Sequence, residues 1–507
     1  MTKSKLDQFI SVPVYPFLLA AYPVFSLLAY NLGEIRPASA MRALLVSLLV
    51  CAALFVLFRA ILRDAHRAAF VTGIWVFLFF TFGHFQILLP AARWTQNDIL
   101  LPIWLALALL PLIRAWRGRP SMRGLSAPLN LATLLLAGMS VWQFMTYDAE
   151  VSRMLETPVP AEKLPALHVD ESAPLPDVYY FILDSYTRAD TMQNVYGFDN
   201  SAFITELEDM GFYVAKCSQS NYDRTELSLP SSLSFNYLTD IEPSLTTHRT
   251  DKTPLWGHIR NNRIRATLEN LGYTTYAFAT DFPWSELEDA DHYIQPEAKW
   301  SDLTQFETLA MDTTLLRALQ TTGLFNYRDA NNLRQRELTL GALSALPSIA
   351  EADGPKFVFV HLLDPHPLFV FDAQGNPMDG WQFINEIGKY TPESYGRGYI
   401  EEVQFINREV ARVAKELIAK SDVPPIIIIQ GDHGPWFHEA DTVLTILNAY
   451  YLPGHSDLLY PTISPVNSFR VVLNEYFGAD LPLLDDVNYN SPHEEPFNYE
   501  LVPNTCK

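Results

Sequence analysis

The chain predicts two parts of different class: an α-helical membrane domain of five spans, then an α/β domain whose mostly parallel sheet is covered by helices on both faces. Three observations carry this. Five apolar runs crowd the first 150 residues, short apolar runs alternate with helical patterns after residue 177, and the charge balance reverses between the two parts. Of 36 Lys and Arg and 57 Asp and Glu in 507 residues, 12 and 6 fall in residues 1–150, leaving 24 and 51 for the remainder. That remainder is acidic, with a formal charge of −27. An acidic surface excludes general nucleic-acid binding, which needs a basic face to displace counterions from phosphates.

A hydrocarbon core about 30 Å thick takes roughly 20 apolar residues as helix. Runs of this kind lie near Pro13–Leu32, Ala43–Leu62, Ala68–Leu89, Ile99–Ile113 and Leu129–Tyr147, the fourth being the shortest. The basic residues between them are lopsided. Lys3, Lys5, Arg59, Arg63, Arg67, Arg114, Arg117, Arg119 and Arg123 fall on one set of alternate loops, and only Arg36, Arg42 and Arg93 on the other. Because Lys and Arg are retained in the cytoplasm, the amino terminus is expected inside. An odd number of spans then puts everything after about Tyr147 outside, with the first span acting as an uncleaved signal anchor.

The expected organisation is a membrane domain at 1–147, a linker at 148–176 and an exported domain at 177–507. The linker is broken by Pro158, Pro160, Pro165, Pro174 and Pro176. Cys51 falls in the second span, whereas Cys217 and Cys506 fall in the exported part, where an oxidising compartment permits them to pair.

In the exported part, Val178–Leu183, Tyr273–Ala279, Phe357–Leu363 and Ile426–Ile429 read as buried strands, and Ala202–Met210, His258–Leu271 and Ser394–Ala419 as helices. Strand and helix in alternation imply a parallel sheet, in which ligands bind at the carboxyl ends of strands. The polar residues just past the apolar runs are therefore the candidates. Asp184 follows VYYFIL, and Gly431-Asp432-His433-Gly434 follows the Ile run. Carboxylates with imidazole suit a divalent cation, and the flanking glycines are expected to let backbone approach a bound ion. Two further elements are Thr225-Glu-Leu-Ser228-Leu-Pro230, hydroxyls at an expected helix start, and His361-Leu-Leu-Asp-Pro-His366-Pro.

These elements, in this order, resemble the alkaline phosphatase and sulfatase superfamily across roughly residues 176–480. Thr225-Glu-Leu-Ser-Leu-Pro is similar to the segment around the nucleophile of bacterial phosphoethanolamine transferases, and five spans ahead of the domain resemble those enzymes and the lipoteichoic acid synthases alike. The resemblance implies an alkaline phosphatase-like exported domain on a bacterial-type inner membrane, facing the periplasm or exterior. It implies that Asp184, Asp432, His433 and Thr225 bind one divalent metal, zinc or manganese ahead of calcium or magnesium, with a second ion as a further expectation. Thr225 is then the nucleophile and His366 the holder of the substrate's anionic group. The implied reaction moves a phosphoglycerol, phosphoethanolamine or similar headgroup from a membrane phospholipid donor to an envelope glycan or lipid acceptor through a phosphothreonine.

His361 reads either as a core histidine supporting the site or as a ligand, His438 either as serving a second metal or the substrate or as a solvent-exposed loop histidine, and Arg224 as touching phosphate or pairing with Asp223. Departures from the resemblance are specific. Two exported cysteines cannot form the several disulfides of phosphoethanolamine transferases, and Asp184 stands where both transferase groups have Glu. Ser228-Leu-Pro-Ser231-Ser232 imitates the start of the sulfatase signature without its Arg, which favours Thr225 over Ser228 as nucleophile. A sulfate or phosphate ester hydrolase, and a catalytically silent envelope-assembly protein, are the alternative functions.

Overall fold

A computed structural model of the chain describes residues 12–88, 96–118, 120–170, 172–297, 299–300, 302–321, 326–384, 389–435, 440–455 and 457–506. The chain folds as two compact units, Met1–Glu150 with Lys299–Asn331, and Val151–Ala298 with Asn332–Lys507.

The first unit contains five apolar helices: α1 (Tyr15–Tyr30), α2 (Met41–Leu62), α3 (Ala65–Leu88), α4 (Gln96–Arg117) and α5 (Arg123–Leu155). Among the described residues four of them, α2 to α5, are long and apolar enough to cross a membrane. The first of the five expected spans is the shorter apolar helix α1, which has 16 residues and reaches about 24 Å at 1.5 Å per residue. Its ends explain the shortfall. Pro16 is confined to the first turn, and the Asn31 side chain donates to the Leu27 carbonyl at 2.7 Å, closing the helix at Tyr30. Leu45, Leu49 and Val56 on α2 and Leu131 and Leu135 on α5 are each at least half exposed, an apolar surface suited to lipid. Helix α5 runs on to Leu155, so Asp148–Leu155, read as the opening of a linker, is helical; the first proline to forbid helix is Pro158.

Lys299–Asn331 joins this unit from the middle of the sequence read as the exported domain. Its helix Gln305–Thr313 begins with a capping box between Thr304 and Glu307, and Phe306 is buried among Val24, Leu28, Ile35 and Ala40.

The second unit holds a seven-stranded sheet of β1 (Val178–Leu183), β2 (Tyr213–Val214), β3 (Thr274–Phe278), β4 (His292–Ile294), β5 (Lys356–Leu362), β6 (Ile426–Gly431) and β7 (Asn448–Tyr451). Their order is β2-β7-β6-β1-β5-β3-β4. The strands from β6 to β4 run parallel, and β7 is antiparallel to both β6 and β2. Successive β1 side chains enter opposite faces, as the pleat requires. Tyr179, Phe181 and Leu183 pack with Tyr395, Tyr399, Val403 and Ile406 of the long helix Pro392–Lys420, while Val178, Tyr180 and Ile182 pack with Leu229 and Leu233 of helix Thr225–Ser234 and with Phe469 and Val472 of helix Pro465–Phe477. Burial on both faces is why these strands read as continuous apolar runs rather than alternating ones. The run read as one helix at His258–Leu271 is two, Thr253–Arg260 and Arg263–Glu269, because the Asn262 side chain accepts from the Arg265 N–H at 2.8 Å and starts a new helix.

Candidate metal centre and nucleophile

Strands β1 and β6 are hydrogen-bonded neighbours with Leu183 opposite Gly431, so Asp184 and Asp432 leave the sheet side by side at its carboxyl end. Asp184, Asp432 and His433 are buried and offer ligand atoms that all lie within 4.8 Å of one another. His433 Nε2 is 3.6 Å from Asp184 Oδ1 and 3.6 Å from Asp432 Oδ2. Thr225, the first residue of its helix, brings Oγ1 to 3.2 Å from His433 Nε2, and its hydroxyl also interacts with the Asp432 carboxylate. A helix's first N–H groups lack intrahelical partners, so this start adds donors for an anion beside the hydroxyl.

The loop after β1 is held in an unusual shape. Ser185 adopts φ 63°, a left-handed conformation that costs a non-glycine residue on the order of 1–2 kcal/mol. Three hydrogen bonds offset that cost: Ser185 N–H to Asp432 Oδ1 at 3.1 Å, Ser185 Oγ to Asp184 Oδ1 at 3.2 Å, and Tyr399 hydroxyl to the Ser185 carbonyl at 2.9 Å. Gly431 and Gly434 were expected to admit a bound ion. They instead admit the protein's own backbone, since a Cβ would stand 2.3 Å from the Tyr186 oxygen at Gly431 and 2.6 Å from the Thr442 oxygen at Gly434.

The donor set fits a divalent cation. Asp432 Oδ2 and both ring nitrogens of His361 are buried without a hydrogen bond, and such groups call for an explanation in a native core. His433 Nδ1 donates to the Gly434 carbonyl at 2.7 Å, which leaves Nε2 with its lone pair toward the carboxylates, the tautomer a ligand needs. Burial pushes the Asp432 carboxyl above its ordinary range, and the Asp184 charge adds to this. For Asp184, burial is outweighed by His366, His361 and His433, which hold it below the usual carboxylate range. His433 is raised because the charges of Asp432 and Asp184 overcome its burial. Oxygen and imidazole donors of this number suit zinc or manganese.

Around this centre His361 lies on β5 opposite Ile182, with Nε2 3.5 Å from Asp184 Oδ2. His366, half-buried in the following loop, donates from Nδ1 to the Pro367 carbonyl at 2.7 Å, leaving Nε2 available. Arg224 is committed to Asp223, at 3.0 and 2.8 Å, and to the Ser491 carbonyl. Ser228, the competing nucleophile, spends its hydroxyl on the Tyr222 carbonyl at 2.8 Å. His438 lies outside the described residues. Cys217 and Cys506 form a disulfide with Cα atoms 5.4 Å apart.

Two contributions escaped sequence reasoning. Tyr399 clamps the Asp184 loop, and nothing in the amphipathic pattern of its helix separates it from Tyr395 beside it. Asp364 and Glu402 form a fully buried carboxyl pair below the His361–His366 loop. Glu402 Oε1 accepts from the Val370 N–H at 2.7 Å, and Thr339 donates to Asp364 Oδ2. Their other oxygens lack donors and face each other, as an acid and carboxylate sharing one proton do.

No protein-family model matches the chain, and no curated protein matches it in sequence. Solved structures similar to it include the carboxyl-terminal periplasmic domain of EptC from Escherichia coli in complex with zinc, at TM-score 0.43 and 13% identity, covering 68% of this chain and 96% of that one. Another is the lipooligosaccharide phosphoethanolamine transferase EptA of Neisseria meningitidis, an integral membrane protein, at TM-score 0.40 and 13% identity over 92% of this chain and 95% of that one. A third is the lipoteichoic acid synthase LtaP of Listeria monocytogenes, at TM-score 0.40 and 12% identity over 67% and 82%.

Proposed function

We propose that this chain is a membrane-bound, metal-dependent transferase that moves a phospho-headgroup, phosphoglycerol, phosphoethanolamine or similar, from a membrane phospholipid to a cell-envelope glycan or lipid. The observation that carries this is the placement of the Thr225 hydroxyl, 3.2 Å from His433 Nε2, on the buried group of Asp184, Asp432 and His433. An alcohol is a poor nucleophile at neutral pH and needs help to ionise. A zinc or manganese ion held by Asp184, Asp432, His433 and Thr225 would supply it, lowering the hydroxyl's pKa and polarising the phosphoryl oxygen.

Thr225 Oγ then attacks phosphorus, forming a phosphothreonine and releasing the diacylglycerol oxygen. An acceptor hydroxyl attacks the same phosphorus in a second in-line step and frees Thr225. The amides at the start of the Thr225 helix and His366 Nε2 hold the negative oxygens through both steps. The basic-residue asymmetry supports a location outside the cytoplasm, where no ATP is expected and a phospholipid is the available donor. Ser228 is occupied by the Tyr222 carbonyl, which disfavours a sulfatase built on that residue.

The test is turnover of headgroup-labelled phospholipids by the purified full-length protein, with and without chelator, followed by mass spectrometry of the Thr225 peptide. Chelator-sensitive release of diacylglycerol with a phospho-adduct on Thr225 is expected. Formylglycine at Ser228, with sulfate ester cleavage that survives Thr225→Ala, would establish a sulfatase instead.

A further inference from the structure

The segment Lys299–Asn331 supplies none of Asp184, Asp432 and His433, and it is built into the unit of apolar helices. Its contacts there can be ranked by depth. The Leu315 N–H donates to the Phe79 carbonyl at 2.8 Å, and a Cβ on Gly83 would stand 2.2 Å from the Asp312 oxygen, so the turn between its two helices presses on α3 backbone to backbone. Ala318 is buried with Phe82, Leu100 and Trp104, and Phe306 with Val24 and Leu28. Helix α3 ends at Leu88 and α4 begins at Gln96. At 1.5 Å per residue, Phe79 and Trp104 lie about 12 to 14 Å inside those helix ends, and Gly83 and Leu100 about 6 to 8 Å inside.

The contacted helix ends are also mutually consistent. The carboxyl ends of α1 and α3 and the amino ends of α2 and α4 form one side of the unit, the side poor in basic residues. Arg42, at the start of α2, bonds to Glu307 and to the carbonyls of Trp300 and Asp302, and its guanidinium stacks 5.3 Å from the Trp300 ring. Trp300 is 80% exposed and Leu319 38% exposed, and the α3 side chains Phe77 and Phe85 are themselves about half exposed. An amphipathic ring near a helix end, and short helices packed one to two turns inside the ends of longer apolar ones, are the marks of an interfacial element.

We propose that Trp300 and residues 302–321 are a monotopic lipid-binding element of the first unit, seated at the headgroup and upper acyl level of the outer leaflet, with Trp300 and Leu319 against phospholipid. The proposal rests on reading α2 to α5 as membrane-spanning. Its occupant is the bilayer itself, because the segment continues the apolar surface of helices that already face lipid.

The test uses the full chain in phosphatidylethanolamine and phosphatidylglycerol vesicles. Single cysteines replace Leu319 or Trp300 in a Cys51→Ala background, Cys217 and Cys506 staying paired, and each carries a nitrobenzoxadiazole probe. Probes at Gln374, on an exposed loop of the second unit, and at Leu135, on exposed α5, serve as references. The expected result is several-fold stronger quenching of the 319 probe by lipid spin-labelled at acyl carbon 5 than at carbon 12, and none at 374. A 319 probe as wet as the 374 probe, or one shielded from water yet unquenched by any lipid because a protein partner covers it, overturns the proposal. Deep quenching at carbon 12 also overturns it. Trp300→Cys decides the matter if Leu319→Cys fails to fold. Loss of quenching at 135 as well marks failure of the membrane reading rather than of the insert.

Discussion

The Tyr399 hydroxyl donates a 2.9 Å hydrogen bond to the carbonyl of Ser185, the left-handed residue that follows Asp184. The same oxygen accepts from the Thr187 N–H at 3.0 Å. One phenol thus fixes both sides of a loop whose Ser185 N–H in turn orients the Asp432 carboxylate. Outer partners of this kind commonly account for 10- to 100-fold in metal affinity. Tyr399→Phe should therefore weaken zinc binding by roughly that factor while leaving the far-UV circular dichroism unchanged. Isothermal titration showing wild-type affinity would remove Tyr399 from the account.

Thr225→Ala should abolish turnover and the phospho-adduct, yet still bind metal through Asp184, Asp432 and His433, more weakly than wild type. His433→Ala should lose metal and activity together. His366→Ala should keep its metal and slow the reaction by roughly 10²- to 10³-fold if His366 acts as one oxyanion donor. Paired metal titrations and phospholipid assays separate these cases. A His366 variant that loses the metal would reassign that residue as a ligand.

The Asp364–Glu402 pair predicts a pH dependence. Burial raises Asp364 to about 6, with Thr339 and Glu402 moderating the shift, and burial with the Asp364 charge raises Glu402 well above its ordinary range. Unfolded, these acids lose their protons near pH 4. The native state thus binds more protons than the unfolded state above that pH, and stability falls as pH rises from about 4 through 6 and beyond. Glu402→Gln keeps the acceptor for Val370 and offers an N–H to Asp364. It should flatten that decline, being as stable as wild type or more so at pH 8, by up to about 3 kcal/mol for a two-unit shift, with the gap closing near pH 4. Chemical denaturation across that range measures it, and parallel wild-type and variant curves would contradict it.

The disulfide closes a separation of 289 residues, which in the chain-entropy model stabilises by on the order of 5 kcal/mol. Its local effect is on the nucleophile segment. The tail it anchors stacks Tyr489 on Tyr222 and places the Ser491 N–H 3.0 Å from Asp223, the partner of Arg224, which precedes the first residue of the Thr225 helix. Cys217→Ser with Cys506→Ser should lower the melting temperature and reduce turnover more than metal affinity. Unchanged melting with the tail cleaved off would refute that support.

What the sequence revealed were the parts whose signal is local. Strands buried on both faces appear as apolar runs, so β1, β5 and β6 were legible to within a residue or two, and with them Asp184 and Asp432-His433. Thr225 was legible through its motif. Parallel neighbours cannot be read from a run, so the adjacency of β1 and β6 that unites the two carboxylates came only from the fold. Tyr399 and Glu402 look like ordinary positions of an amphipathic helix, their meaning lying wholly in what stands opposite. The insert at 299–331 was hidden because its first helix, Gln305–Thr313, is short and its partners are far away in sequence.

That separation governs how the protein can be assembled. Arg42 and Glu307, 265 residues apart, belong to one compact unit, and residues 151–298 must be synthesised between them. The apolar helices, made first, therefore wait, with the surfaces of Val24, Phe82 and Trp104 uncovered, until a long stretch of chain has been made and a later segment returns to them. Such non-local pairing is slow to form. Formation of these helices is thus an early event and completion of their unit a late one, so a ribosome stalled before residue 331 leaves that unit unfinished.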